Sequence, residues 1–141
     1  MSDEALTLRP AGEADLADVA RIQAASPEAA QWDVRDYLSH DFVVAAVDGR
    51  IAGFAVARRV AEDESELLNL AVDPAFRRRG IARHLLRTLT ARFAGALWLE
   101  VRESNIRARK LYETLGFTEM NRRRDYYRNS GESAIVMKIH S

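Results

Sequence analysis

The chain contains no cysteine among its 141 residues. Disulfides, thiolate nucleophiles and cysteine–zinc sites are therefore excluded. Its three histidines, at positions 40, 84 and 140, stand in unrelated contexts without metal-ligand spacing, so no metal is expected. No charge sign is in excess: 21 Lys and Arg balance 21 Asp and Glu. Nothing draws the whole chain towards nucleic acid or membrane, and any charge effect must be local. No apolar run approaches the roughly 20 residues of a membrane span. The opening Met1-Ser2-Asp3-Glu4 is polar and has no apolar signal region, so a cytoplasmic location is the expectation. A Walker P-loop is absent, and so is a Gly-x-Gly-x-x-Gly dinucleotide series. Internal repeats and low-complexity linkers are absent too.

The residues present are those of a globular protein. Hydrophobic residues make up 48% of the chain, enough for one domain spanning 1–141 with a real core. The organising stretch is 67–82. Residues 67–72 are apolar at five of six positions and read as a buried strand. Asp73-Pro74 stops it. Arg77-Arg78-Arg79-Gly80-Ile81-Ala82 then leads into a helix through Arg83. Gly80 permits a close backbone approach or a positive φ. The new helix starts with free N–H groups and the positive end of its dipole, which suit an anion, phosphate above all. The plain alternative is a strand-to-helix loop with exposed arginines.

Around this stretch the pattern is regular. A strand is expected at 5–9, a helix at 13–25 and a short helix at 33–40 capped by Asp33, with Val34, Tyr37 and Leu38 inward. Strands at 42–47 and 51–60 flank the turn Asp48-Gly49-Arg50. The helix 80–93 carries Ile81, Leu85, Leu86, Leu89 and Phe93 on one side, and Gly95 ends it. Residues 96–101 read as a central strand covered on both faces. A right-handed crossover would make it parallel to 67–72. Asn105 opens another helix, stopped by Gly116, and strands begin at 117 and 133. The fold class is α/β: a mixed, mostly antiparallel sheet with a central parallel strand pair and flanking helices.

Two protonatable groups stand out. Glu100 lies in the apolar strand, where lost hydration would make it a better base, one suited to deprotonating an amine. The other reading is a solvated carboxylate at the strand's end, or one paired with Arg102 or another arginine. Tyr112 is either a core tyrosine or a general acid able to protonate a departing thiolate. Asn105 is either a plain cap or a contact to a ligand lying along the helix start. The runs Arg77–Arg79 and Arg122–Arg124 are too short, and too lacking in aromatic platforms, to make nucleic-acid binding the main expectation.

Together these features resemble the GCN-five-related N-acetyltransferases, the GNAT superfamily. Arg77-x-x-Gly80-x-Ala82 after a strand is similar to its acyl-CoA signature, Gln/Arg-x-x-Gly-x-Gly/Ala. Asn105 with Leu111-Tyr112-x-x-x-Gly116-Phe117 is similar to its second characteristic region. Three further stretches resemble the branch that acetylates ribosomal-protein alanine. They are Leu68-Asn69-Leu70-Ala71-Val72-Asp73-Pro74, Leu97-Trp98-Leu99-Glu100-Val101-Arg102, and Arg122-x-x-x-Tyr126-Tyr127 followed by Gly131-Glu132-x-Ala134-x-x-Met137. The resemblance spans about 5–139 and is densest over 67–137. It departs at Ala82, a permitted variant of glycine, at Ser133, where aspartate is frequent, and at 25–32, which lacks a Phe-Pro-Trp-like run.

The resemblance implies a set of roles. Acetyl-CoA is the co-substrate, with no metal. Its pyrophosphate would sit on the amides of Arg78, Arg79, Gly80, Ile81, Ala82 and Arg83, introduced by Arg77. Its pantetheine would pair with Leu70, Ala71 and Val72, and the Val72 N–H would polarise the thioester carbonyl. Asn105 and Tyr112 would also contact it. Glu100 would be the general base and Tyr112 the general acid. Tyr126 and Tyr127 would hold the acceptor. The implied reaction is transfer to a protein's α-amino group, that of the N-terminal alanine of a small-subunit ribosomal protein. The partner is then a protein N-terminus, with no direct nucleic-acid or membrane binding. Lysine side chains, polyamines or other small amines are alternative acceptors. A non-catalytic acyl-CoA-binding module and an RNA- or ribosome-binding protein are readings of different classes. The acidic residues Glu62, Asp63, Glu64 and Glu66 suit a basic acceptor peptide or form a solvated hairpin tip.

Overall fold

In the computed structural model the described residues are 5–27, 29–92, 95–127 and 130–140, with backbone alone at 125 and 127. They form two compact units, 1–58 with 67–92 and 59–66 with 93–141.

The first unit holds β1 (Leu6–Pro10), α1 (Leu16–Ala24), β2 (Asp41–Val47), most of β3 (Arg50–Ala61), the later part of β4 (Glu64–Val72) and α2 (Ile81–Thr90). Its strand order is β1-β2-β3-β4. β1 runs antiparallel to β2, with Leu6 opposite Val47. β2 runs antiparallel to β3, with Asp41 opposite Ala57 and an irregularity between Ala45 and Ala46. The expected helix at 13–25 starts as a 3-10 turn over Glu13–Asp15 and becomes α-helical at Leu16. Arg9 braces that turn through two 2.8 Å bonds to the Asp15 carboxylate. The helix expected at 33–40 is a 3-10 segment, Val34–Ser39, with the Asp33 carboxylate accepting the Arg35 N–H. Three residues per turn cannot bring both Tyr37 and Leu38 inward. Tyr37 is buried, whereas Leu38 is exposed. Val19, Ile22, Tyr37, Val44, Phe54 and Val56 make the core, with the Tyr37 ring 5.6 Å from Phe42 and 5.9 Å from Phe54.

The second unit holds the start of β4 with β5 (Ala96–Arg102), α3 (Ile106–Thr114), β6 (Thr118–Tyr127) and β7 (Glu132–His140). The order is β4-β5-β7-β6. The parallel pair is present, in the register Glu64–Ala96, Ser65–Leu97 and Glu66–Trp98, nearer the start of β4 than expected. β5 and β6 both run antiparallel to β7. The mixed, mostly antiparallel sheet with one parallel pair and flanking helices is the expected class.

Gly95 has another role than the expected one. α2 ends at Thr90, well before it, and Phe93 lies outside the described residues. At Gly95 (φ 92°) a side chain would collide with the Asp63 backbone, whose carbonyl accepts the Ala96 N–H at 2.9 Å. Among the described residues no helix is long and apolar enough to cross a membrane.

Candidate active site

The end of β4 delivers Leu70, Ala71 and Val72, the first two buried and Val72 half-buried. The strand stops at Asp73, whose N–H donates to the Ala52 carbonyl at 2.7 Å. The Asp73 carboxylate then caps the turn Pro74–Phe76 through the Ala75 N–H at 2.9 Å and takes Arg21 at 2.7 Å. Burial pushes the Asp73 carboxyl up, but Arg21 and the Ala75 N–H outweigh it and hold it below its ordinary value.

The chain then passes through two left-handed residues, Arg78 (φ 67°) and Gly80 (φ 75°). A Cβ on Gly80 would meet nothing within 4 Å, so the conformation, not crowding, calls for glycine. Open space above a helix start is a suitable seat for an anion. Ile81 is buried beneath the start of α2, Ala82 is half-buried and Arg83 is exposed. Arg77 is half-buried, and Arg79 lies over the Phe76 ring at 5.1 Å, with Arg50 also over that ring at 5.5 Å. All of these residues lie in the first unit.

The second unit carries the other candidates. Asn105 caps α3, its carbonyl accepting the Ala108 N–H at 3.2 Å. Tyr112 follows two helical turns later, half-buried, its ring edge-on to Phe117 at 5.6 Å. Glu100 is not enclosed as its apolar strand suggests. β5 is covered on both faces only at its start, and Glu100 and Arg102 are exposed. The Glu100 carboxylate meets the Arg123 guanidinium at 3.2 Å, its side chain keeping 28% of its surface accessible. Of the two readings of Glu100, the carboxylate paired with an arginine is the one seen, through Arg123. Arg123 also lies over the Tyr126 ring at 5.4 Å. Tyr126 is 47% exposed, and the Tyr127 side chain lies outside the described residues.

A groove of about 500 Å³ opens in this unit, lined among others by Glu64, Glu66, Trp98, Glu100, Met120 and Arg123. Arg123 is the one basic side chain among three carboxylates in that lining, and Lys138 lies over the Trp98 ring at 5.0 Å. The groove joins apolar walls to a surplus of negative charge, which suits a cationic, partly apolar segment. Among the described residues no three His, Asp or Glu side chains gather as a metal site.

Sequence reasoning missed three features. Arg123 stands on a different strand from Glu100, and only the shared neighbour β7 brings them together. The Arg21–Asp73 pair joins residues 52 apart. Gln23, Tyr37 and Asn69 form a buried polar cluster, and its signal in the sequence is one polar residue inside the apolar run 67–72.

Known proteins resemble the chain in sequence and in fold. The [Ribosomal protein bS18]-alanine N-acetyltransferase of Salmonella typhimurium (strain LT2) is 48% identical over 98 residues, 65% of this chain and 66% of that protein. The chain thus spans slightly under two thirds of the length of curated relatives that it matches. The crystal structure of the ribosomal-protein-S18-alanine N-acetyltransferase from Escherichia coli superposes with a TM-score of 0.78 at 33% identity, covering 96% of this chain and 94% of that one. A GNAT family acetyltransferase from Elizabethkingia anophelis with acetyl-CoA bound shares the fold at a TM-score of 0.75 and 18% identity, covering 96% and 98%. The model of the Acetyltransferase (GNAT) family matches residues 13–117, three quarters of the chain, and the chain belongs to that family.

Proposed function

We propose that the chain, as a single catalytic domain, moves the acetyl group of acetyl-CoA to the α-amino group of a protein N-terminus, that of an alanine-initiated ribosomal protein such as bS18. One observation carries the reading. The Glu100 carboxylate is reachable from a groove able to admit the first residues of a peptide. The named relatives and the acetyl-CoA-bound member of the same fold support it.

The first unit supplies the turn for the co-substrate. The amides from Arg78 to Arg83 take the pyrophosphate, and Leu70, Ala71 and Val72 take the pantetheine. The acceptor arrives as an ammonium, whose ordinary pKa is about 8. Glu100 removes one proton, directly or through one water. The freed amine attacks the thioester carbonyl carbon, forming the C–N bond while the C=O electron pair moves to oxygen. The Val72 N–H donates to that oxygen. Collapse breaks the C–S bond, and the leaving thiolate takes the Tyr112 phenolic proton. The surplus proton on nitrogen returns to the Tyr112 phenolate through solvent, and Glu100 releases its own to water. Asn105 holds the co-substrate beside the start of α3, and Tyr126 and Tyr127 hold the acceptor. No enzyme nucleophile is needed, which agrees with the absence of cysteine.

A second reading keeps the reaction and changes the acceptor to a lysine side chain or a polyamine. Glu64 and Glu66 in the groove favour cations of that kind as well. Mass-spectrometric acetylation with acetyl-CoA separates the two. The acceptors are an alanine-initiated basic peptide, an N-terminally blocked lysine peptide and spermidine. Mass gain on the alanine amine supports the first reading. Gain on lysine or spermidine alone replaces the acceptor. Acetyl-CoA binding without transfer to any amine leaves a binding module.

A further inference from the structure

Gly53, near the start of β3, is buried, and its φ lies outside the left-handed region. Conformation does not call for glycine there, as it does at Gly80; crowding does. A Cβ at Gly53 would stand 3.0 Å from the Ala71 carbonyl oxygen, 3.1 Å from Leu85 Cδ1 and 3.4 Å from Ile81 Cγ2. The first two are tighter than ordinary van der Waals contact. These atoms belong to the end of β4 and to the first turns of α2, so both elements close on β3 where its side chain is missing.

The neighbours differ in what they can give. Leu85 Cδ1 ends a flexible side chain and can yield by changing rotamer. The Ala71 carbonyl is backbone, and the chain beyond it is tied. Two residues on, the Asp73 N–H donates to the Ala52 carbonyl at 2.7 Å. Ala52 is the residue before Gly53 and the extra one in a bulge of β3, since Ala45 faces Gly53 and Ala46 faces Ile51. Arg21 and the Ala75 N–H hold the Asp73 carboxylate in turn. A methyl group at Gly53 would push Ala71 while Asp73 stays fixed, and the displacement would fall on Val72 between them. The same methyl would meet Ile81, the first residue of α2. A glycine that served core packing alone would have side chains as its tightest neighbours. Here the tightest is a main-chain carbonyl in the stretch assigned to the pantetheine.

We propose that Gly53 is a positioning residue: the side chain it lacks sets the spacing between the strand end Leu70 to Val72, assigned to the pantetheine, and the start of α2, assigned to the pyrophosphate. The inference rests on the acyl-CoA reading above and adds to it a residue outside the signature.

The test uses the full chain with Gly53→Ala, Leu85→Val and the two combined. Leu85→Val removes the Cδ1 that the new methyl meets and leaves the Ala71 carbonyl in place, which separates core crowding from pressure on β4. Calorimetry reads coenzyme A affinity without turnover, melting reads packing, and steady-state kinetics read KM for acetyl-CoA and for an alanine-initiated basic peptide. Gly53→Ala should weaken coenzyme A binding about tenfold and raise acetyl-CoA KM to match, with peptide KM within about twofold. In the double variant melting should recover most of its loss while coenzyme A affinity stays down. Leu85→Val alone should bind coenzyme A within about twofold of the wild type. Affinity that recovers together with melting in the double variant overturns the positioning role and leaves Gly53 a packing residue. Wild-type affinity in Gly53→Ala, or an equal loss in Leu85→Val, overturns it too. If Gly53→Ala does not fold, the double variant against Leu85→Val carries the comparison. A wild type that binds no coenzyme A removes the acyl-CoA reading and this inference together, whereas a binding wild type with unaffected variants removes the inference alone.

Discussion

Arg123 Nη1 lies 3.2 Å from Glu100 Oε1, on a carboxylate that remains open to solvent. An amine acceptor that reaches this carboxylate must share it with the guanidinium. Glu100→Gln should lower kcat by about a hundredfold or more, and Tyr112→Phe by about tenfold or more, with acetyl-CoA KM little changed in either. Stopped-flow release of free thiol checks both. A Glu100→Gln enzyme at full rate would remove that residue from the mechanism.

The groove's charge predicts acceptor preference. Peptides that differ only at the second residue, Arg against Glu, should differ about tenfold in kcat/KM, in favour of Arg. The double substitution Glu64→Gln with Glu66→Gln should erase most of that gap. Equal rates for both peptides with the unaltered chain would show that these carboxylates do not read the acceptor.

Gly80 should be intolerant for conformational reasons. At φ 75°, Gly80→Ala strains the backbone by about 1 kcal/mol although the site has room. Melting should fall by about 3 °C. Acetyl-CoA affinity, measured by calorimetry, should fall further than that small loss implies if the turn binds the pyrophosphate. Melting lowered with affinity intact would detach the turn from the co-substrate.

Acid stability should follow Asp15 and Asp73. Arg9 holds the Asp15 carboxyl below its ordinary 3.8, against a smaller upward push from burial, with the Gly12 N–H at 2.8 Å assisting. Asp73 is likewise lowered, through Arg21 and the Ala75 N–H acting against burial. A carboxyl with a depressed folded pKa stabilises above its unfolded value, and that stabilisation is lost as pH falls through the folded value. The melting temperature should therefore hold down to about pH 4 and drop below it. Asp15→Asn should melt lower at pH 7 and show a shallower acid decline. Parallel curves for the two proteins would contradict the assignment.

Much of this was legible from short-range chemistry. The hairpin at Asp48-Gly49, the cap at Asn105 and the left-handed Gly80 all follow from local conformational preference. The faces of α2 follow from spacing. Residues whose surroundings come from distant chain did not yield to such reading. For Glu100 the apolar strand leaves two readings, enclosed or solvated and paired with an arginine, and the opening of β5 on one face beyond its start decides for the second. Gly95 looked like a helix stop, while its actual neighbour is Asp63, more than 30 residues earlier. Leu38 looked inward on an α-helical count that a 3-10 segment does not obey.

The Gln23–Tyr37–Asn69 cluster carries no formal charge. Its amides do not titrate, and burial pushes the Tyr37 phenol above its ordinary 10.0. Its bonds to the Ala30 and Trp32 carbonyls are therefore electroneutral and blind to proton concentration across the range in which an α-amino group loses its proton. An alkaline medium that frees the acceptor amine leaves this part of the scaffold as it was.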